Sequence, residues 1–391
     1  MPTTLKNEAA IVGIGQTEFS KNSGRSELQL ACEATAAAIK DAGLKPADID
    51  GMTTFTMDTS DEIEIARSVG IKDLTFFSRT PHGGGAAIGV MHQAVMAVAT
   101  GSAKAVVVYR SLNGRSGARY SDGVSGGSTT SDLIHWSWYM SSGLMTPASW
   151  VAMFTQRYMH ETGCTSEDLG RLCVGQRNHA VNNPASFFYK QPLTLEEHQN
   201  SRKIVDPLRL YDCCQETDGG TACVVTTPER AKDLDCGGAA IIRSVAQGAG
   251  ADQEVMTSYY RPSITTLPEM DLVAKQNWEM SGLTPDDIDA AVIYDAFSSI
   301  ILWQLESFGF CKPGEAKDFI KNGTLELGGR LPTNTHGGQL SEAYIHGMNG
   351  VNEGVRLIRG TSSNQPEKNE HVLVTAGVGI PTSAMILGQP D

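Results

Sequence analysis

The sequence predicts an α/β protein built from two duplicated halves. Strand-type runs alternate with helical patterns along the chain, which implies mostly parallel sheets with helices on their faces. Two stretches of the first third echo two stretches of the last third, in the same order. The 391 residues, 40% apolar and 19% charged, exceed a typical single core and supply enough apolar surface for two.

The first helical pattern runs from Glu27 to Asp41 and leads into Ala42-Gly43-Leu44-Lys45-Pro46-Ala47-Asp48-Ile49-Asp50. Gly43 marks the helix end, Pro46 and Asp48 mark the next turn, and a β-type run from Met52 to Met57 follows. Its counterpart is a pattern from Leu272 to Met280, then Ser281-Gly282-Leu283-Thr284-Pro285-Asp286-Asp287-Ile288-Asp289, then a β-run from Ala291 to Tyr294. In the second echo, Gly83-Gly84-Gly85 opens a helix ending at Thr100-Gly101, before a β-run from Ala105 to Tyr109. Gly337-Gly338 likewise leads to a helix ending at Arg359-Gly360, before a β-run from Val372 to Thr375.

Residues 113–236 interrupt the halves. Ser121 to Asp132, rich in Gly, Ser and Thr, reads as a loop. Trp136, Trp138, Tyr139, Met140, Met145 and Trp150 form an apolar group suited to a core or interface, or to the wall of a bulky apolar site. A helical pattern from Trp150 to His160 is expected to cover it. The expected division is 1–236, including the insertion at about 113–236, and 237–391.

The net charge of −13 argues against a nucleic-acid surface. None of the eight cysteines forms a C-x2-C pair, so no zinc site is expected, and eight in 391 residues is too few for a disulfide scaffold. No signal-type apolar run opens the chain, and no stretch of about 20 apolar residues exists. A cytoplasmic protein without a membrane span is expected.

Three segments carry chemistry. The first is Leu210-Tyr211-Asp212-Cys213-Cys214-Gln215-Glu216-Thr217-Asp218-Gly219-Gly220-Thr221-Ala222. The second is Tyr294-Asp295-Ala296-Phe297-Ser298. The third runs Asn334-Thr335-His336-Gly337-Gly338-Gln339-Leu340-Ser341-Glu342-Ala343-Tyr344-Ile345-His346-Gly347-Met348-Asn349-Gly350. In this order they resemble the thiolase superfamily, and its sterol-carrier-protein thiolase branch in particular. That resemblance implies five layers, α-β-α-β-α, with a shared central helix layer.

The departures concern chemistry. A thiolase needs a nucleophilic Cys at the start of a helix, where the dipole lowers the thiol pKa. That region here is Thr80-Pro81-His82-Gly83-Gly84-Gly85, with Gly84 near the nucleophile position and no Cys between Cys32 and Cys164. The C-terminal segment that normally carries the second Cys is Val374-Thr375-Ala376-Gly377-Val378-Gly379, and no Cys follows Cys311. Tyr294 replaces an Asn or His of its motif, and Tyr344 replaces the motif His. Condensation through an acyl-enzyme is therefore not expected.

A retro-aldol cleavage needs no covalent nucleophile. It needs a base for a β-hydroxyl, an acid for the enolate carbon and donors for the thioester oxyanion. Tyr344 is assigned as acceptor of the hydroxyl proton and Tyr294 as donor, with the reverse left open. His346 is a candidate aid to Tyr344, and His336 a candidate donor to the thioester oxygen. His82, Gly83, Gly84 and Gly338 are candidates for the substrate and oxyanion pocket. Asp295 is expected to cap the following helix. No Lys stands inside these motifs, no metal cluster is apparent, and no cofactor beyond a CoA thioester substrate is expected.

The cysteine-less pattern resembles the lipid-transfer-protein aldolases of bacterial steroid side-chain degradation. The resemblance implies cleavage of a 17-hydroxy steroid C20-carboxyl-CoA to a 17-keto steroid and propionyl-CoA. It also implies a homodimer bound to an OB-fold partner carrying a zinc ribbon. The alternatives are a non-catalytic acyl-CoA-binding scaffold, and a hydrolase or acyltransferase using Cys213 or Cys223.

Overall fold

The computed structural model describes residues 5–122, 137–254, 258–378 and 381–390. Its strands are β1 (Ala10–Gln16), β2 (Gly51–Phe55), β3 (Phe76–Thr80), β4 (Ala105–Asn113), β5 (Lys203–Val205), β6 (Leu208–Arg209), β7 (Asp218–Thr226), β8 (Ala240–Gly248), β9 (Ala290–Val292), β10 (His371–Ala376) and β11 (Thr382–Gly388). The helices of eight or more residues are α1 (Glu27–Asp41), α2 (Glu62–Val69), α3 (Ala87–Ala99), α4 (Pro147–Thr162), α5 (Ser166–Asn182), α6 (Pro268–Ser281), α7 (Ser298–Ser307) and α8 (Met348–Arg359).

Nine strands form one sheet in the order β3-β2-β4-β7-β1-β8-β11-β10-β9. The duplication is visible in that order. Read inward from one end, β2-β4-β7-β1 corresponds to β9-β10-β11-β8 read inward from the other. The halves join where β1 meets β8, through Ala10 opposite Ile241 and Ile11 opposite Ala240. The counterpart of edge strand β3 is reduced to one bridge, Ala291 to Thr333.

The sheet is mixed, not mostly parallel. Only β2 with β3, β2 with β4, and β9 with β10 are parallel. The reason is the last strand of each half. The short connection from β10 to β11 reverses the chain, and β7 lies antiparallel to both β4 and β1.

The layers follow from which faces are apolar. α1 covers the outer face of β1, β4 and β7, and α6 covers β8 and β11. α3 reads AIGVMHQAVMAVA, apolar nearly all round, so it has no solvent face to present. It lies between the halves with α8, and both helices touch strands of each half. This is the α-β-α-β-α order. Gly43, Gly282 and Gly360 take positive φ at the helix ends, where a side chain would be strained.

The helix expected over 150–160 is the middle of α4, which starts one turn earlier because Thr146 caps it. Tyr139 and Trp150 of the expected aromatic group are buried, whereas Trp138 is exposed. Trp136 and residues 123–132 of the expected loop lie outside the described residues. No helix among the described residues is long and apolar enough to cross a membrane.

Candidate active site

The three motif segments are stitched together by hydrogen bonds between backbones. The Cys214 N–H donates to the Ala296 carbonyl at 2.9 Å, and the Gln215 N–H to the Gln339 carbonyl at 2.9 Å. The Tyr344 N–H donates to Thr217 Oγ1 at 3.1 Å. Asn334 clamps the second segment by accepting from the Ile293 N–H at 2.8 Å and donating to the Ile293 carbonyl at 2.9 Å.

Tyr294 is held at its backbone from two sides. Its N–H donates to Thr375 Oγ1 at 3.0 Å, and its carbonyl accepts from Gln304 Nε2 at 2.7 Å. Its hydroxyl then meets the Tyr344 hydroxyl at 3.2 Å. A Cβ added at Gly84 would lie 1.8 Å from Tyr294 Oη and 2.2 Å from its Cζ. The phenol therefore fills the space beside Gly84, the residue the motif comparison sets near a thiolase's nucleophile position. Glycine there is a steric requirement of Tyr294. At Gly83, an added Cβ would stand 3.1 Å from His346 Nε2. Tyr294, Tyr344, His346, Gly83 and Gly84 are thus brought together.

Burial pushes both tyrosine hydroxyls far up. Either hydroxyl can donate in this contact, so a proton can pass between the two phenols in either direction.

His346 does not bond to Tyr344 through its ring nitrogens. Its Nε2 lies 2.8 Å from the Tyr120 hydroxyl, and its Nδ1 accepts from Arg110 Nε at 3.1 Å. Burial, then the Arg110 charge, keeps its imidazole well below the usual range. Behind it Arg110, 1% exposed, pairs with the buried Asp58 at 2.9 Å.

The other expected site residues are placed differently. His336 stands with Glu342, 3.8 Å from Nε2 to Oε2, and burial lowers its pKa to about 4. His82 takes positive φ, and its N–H donates to Thr56 Oγ1 at 2.9 Å. Gly338 serves a cap: a Cβ there would lie 2.2 Å from Asp295 Oδ2. Asp295 accepts from the N–H groups of Gln339 at 2.8 Å and Leu340 at 3.2 Å, while burial raises its carboxyl to about 7. It therefore caps the Gly338–Ser341 turn, not α7, whose N-cap position is Phe297.

The thiols of Cys213, Cys214 and Cys223 are all pushed up by burial, which disfavours the thiolate a nucleophile needs. One metal-capable group exists among the described residues: Cys173, His198 and Asp212, all buried. Distant in sequence, these three gave no local signature. Asp212 is already engaged by His198 Nε2 at 3.1 Å, Ser298 Oγ at 2.7 Å and the Arg209 N–H at 2.8 Å. Sequence reasoning also missed Tyr120, Arg110 and Asp58. A lone Arg inside the apolar strand AVVVYRSLN was the available signal.

Comparisons with known proteins accord with this geometry. Residues 250–389 match the thiolase C-terminal domain-like family. A steroid side-chain-cleaving aldolase of Thermomonospora curvata is 61% identical over 99% of both chains. The chain belongs to this aldolase family. A second member, a 17-hydroxy-3-oxo-4-pregnene-20-carboxyl-CoA lyase of Mycobacterium tuberculosis, is 57% identical over 98% of this chain and 100% of that one. Among solved structures, an Ltp2-ChsH2(DUF35) aldolase superposes with a TM-score of 0.95 at 60% identity, over 99% of both chains. A monomeric SCP2-thiolase-like protein of Mycobacterium smegmatis shares the fold at a TM-score of 0.73 and 19% identity, over 98% of this chain and 77% of that one. The aldolase family thus uses a thiolase scaffold, and here that scaffold carries paired tyrosines.

Proposed function

We propose that this chain cleaves a 17-hydroxy steroid C20-carboxyl-CoA by a retro-aldol reaction, giving a 17-keto steroid and propionyl-CoA. The observation that carries the mechanism is the Tyr294–Tyr344 hydroxyl pair, 3.2 Å apart and packed over Gly84. Two phenols in contact move a proton without either standing as a free phenolate. Tyr344 accepts the substrate hydroxyl proton while passing its own to Tyr294, and Tyr294 delivers its proton to the enolate carbon; the contact permits the reverse order as well. The carbon–carbon bond between the carbinol carbon and the thioester α-carbon breaks, its electron pair forming the enolate. The net result is one proton moved from oxygen to carbon. The route uses neither a lysine imine nor a metal.

The solved relative's DUF35 component supports a partner of that type for this chain, read here as an OB-fold with a zinc ribbon. A homodimer is also proposed. Edge strand β3 has one side unpaired and carries Phe77 at 60% exposure, a surface suited to pairing with another copy.

The test is cleavage of the hydroxy steroid carboxyl-CoA by the chain with its DUF35-type partner, following ketone and propionyl-CoA. Activity that collapses in Tyr294→Phe or Tyr344→Phe supports the relay. A folded complex that binds the acyl-CoA without cleaving it would favour a scaffold role.

A further inference from the structure

The buried polar chain behind the tyrosine pair is not used by the relay just described. It begins at Asp58, whose Oδ2 accepts from Arg110 at 2.9 Å and from the Ser111 N–H at 3.0 Å. It continues through Arg110 Nε to His346 Nδ1 at 3.1 Å, and from His346 Nε2 to Tyr120 Oη at 2.8 Å. Asp58, Arg110 and His346 are each no more than 4% exposed.

Hydrogen-bond logic fixes the protons along this chain. A guanidinium only donates, so His346 Nδ1 is an acceptor and carries no hydrogen. The ring is then neutral, with its hydrogen on Nε2, and that N–H donates to Tyr120. The Tyr120 oxygen accepts, which leaves its own hydrogen to be donated elsewhere.

Tyr120 is also firmly placed. Arg119 and Ser121, its two neighbours in sequence, both bond to Glu216: Arg119 Nε at 2.7 Å and the Ser121 N–H at 3.0 Å. Glu216 in turn bridges to Tyr344. The Tyr120 ring stands edge-on to Tyr344, with centroids 5.9 Å apart.

We infer that Tyr120 is a third functional phenol, a positioning residue whose hydroxyl is held by the Asp58–Arg110–His346 chain beside the Tyr294–Tyr344 pair. His346 is then a fixed donor and does not exchange protons during turnover. An oxygen that accepts from such a donor gives up its own hydrogen more strongly in the next hydrogen bond. The groups facing Tyr120 and His346 are Arg110, Asp58, Glu27, Cys214, Tyr294 and Tyr344. Arg110 is the only cation among them, which opposes a second proton on the imidazole. This inference rests on the proposed cleavage reaction for its catalytic part alone.

The test has two arms on the full chain with its partner. In the first, ¹⁵N spectra of labelled histidine, assigned with His346→Gln, should show the Nε2–H tautomer of His346 without titration from about pH 5.5 to about pH 8.5. An Nδ1–H tautomer, or titration in that window, would overturn the chain. In the second, Tyr120→Phe keeps the ring and removes the hydroxyl, and should lower kcat about tenfold or more with KM within about twofold. His346→Gln, which retains an acceptor and an N–H donor, should stay about tenfold more active than His346→Leu. Wild-type kcat in Tyr120→Phe, or equal loss in both His346 variants, would sink the positioning role. If the wild type itself does not cleave, the reaction assignment fails, and the spectra still decide the proton arrangement.

Discussion

At the scale of single residues, the site is a set of exchanges that depend on one another. A phenol occupies the volume beside Gly84, and it fits because Gly84 has no Cβ. Gly84→Ala should therefore displace Tyr294 and lower kcat about 100-fold, with only a modest loss of thermal stability. Steady-state kinetics beside a melting curve separates the two effects; full activity would show that Tyr294 has room to move. Tyr344→Phe should lower kcat by about 10²-fold or more, because it removes the hydroxyl that bonds to Tyr294. These replacements were legible in the sequence as motif departures. That the two tyrosines touch was not, since they lie fifty positions apart and only folding sets their distance.

At the scale of elements, buried charge is the main source of both order and vulnerability. β4 delivers Arg110 into the core, where Asp58, just beyond β2, neutralises it. Breaking one partner leaves an unpaired buried charge, so Asp58→Ala should cost about 3–5 kcal/mol in urea denaturation. A loss under about 1 kcal/mol would mean that water reaches the pair. His336 gives a pH prediction. Its folded pKa, about 4, lies below the unfolded value, so folding favours the neutral ring. Its contribution is intact above about pH 6.5 and is lost as pH falls toward 4, by about 3 kcal/mol. Denaturation curves of His336→Gln should accordingly fall off less steeply over that range than those of the wild type.

At the scale of the whole molecule, two halves converge on one site. Gly84 and the turn opening α3 come from the first half, while Tyr294 and Tyr344 come from the second. The insertion between the halves contributes Tyr120 and Glu216, which bond to second-half residues. Phe77→Arg on edge strand β3 should shift the proposed dimer toward monomer, as read by light scattering, while the melting temperature stays close to that of the wild type. An unchanged mass would remove β3 from the interface.

What the sequence determined by itself was the kind of scaffold and the loss of thiol chemistry. Glycine punctuation and helical periodicity are local signals, and an absent cysteine is absent in any fold. The strand directions were not legible, because reversal at β7 and β11 depends on where each strand inserts. The partners of His336, Asp295 and His346 were likewise decided only by tertiary structure. A short polar motif states which groups are present, but packing chooses which neighbour removes each from water. His346 shows the difference: beside Tyr344 in sequence, it is bonded through the fold to Arg110 and Tyr120, and those two contacts fix its proton.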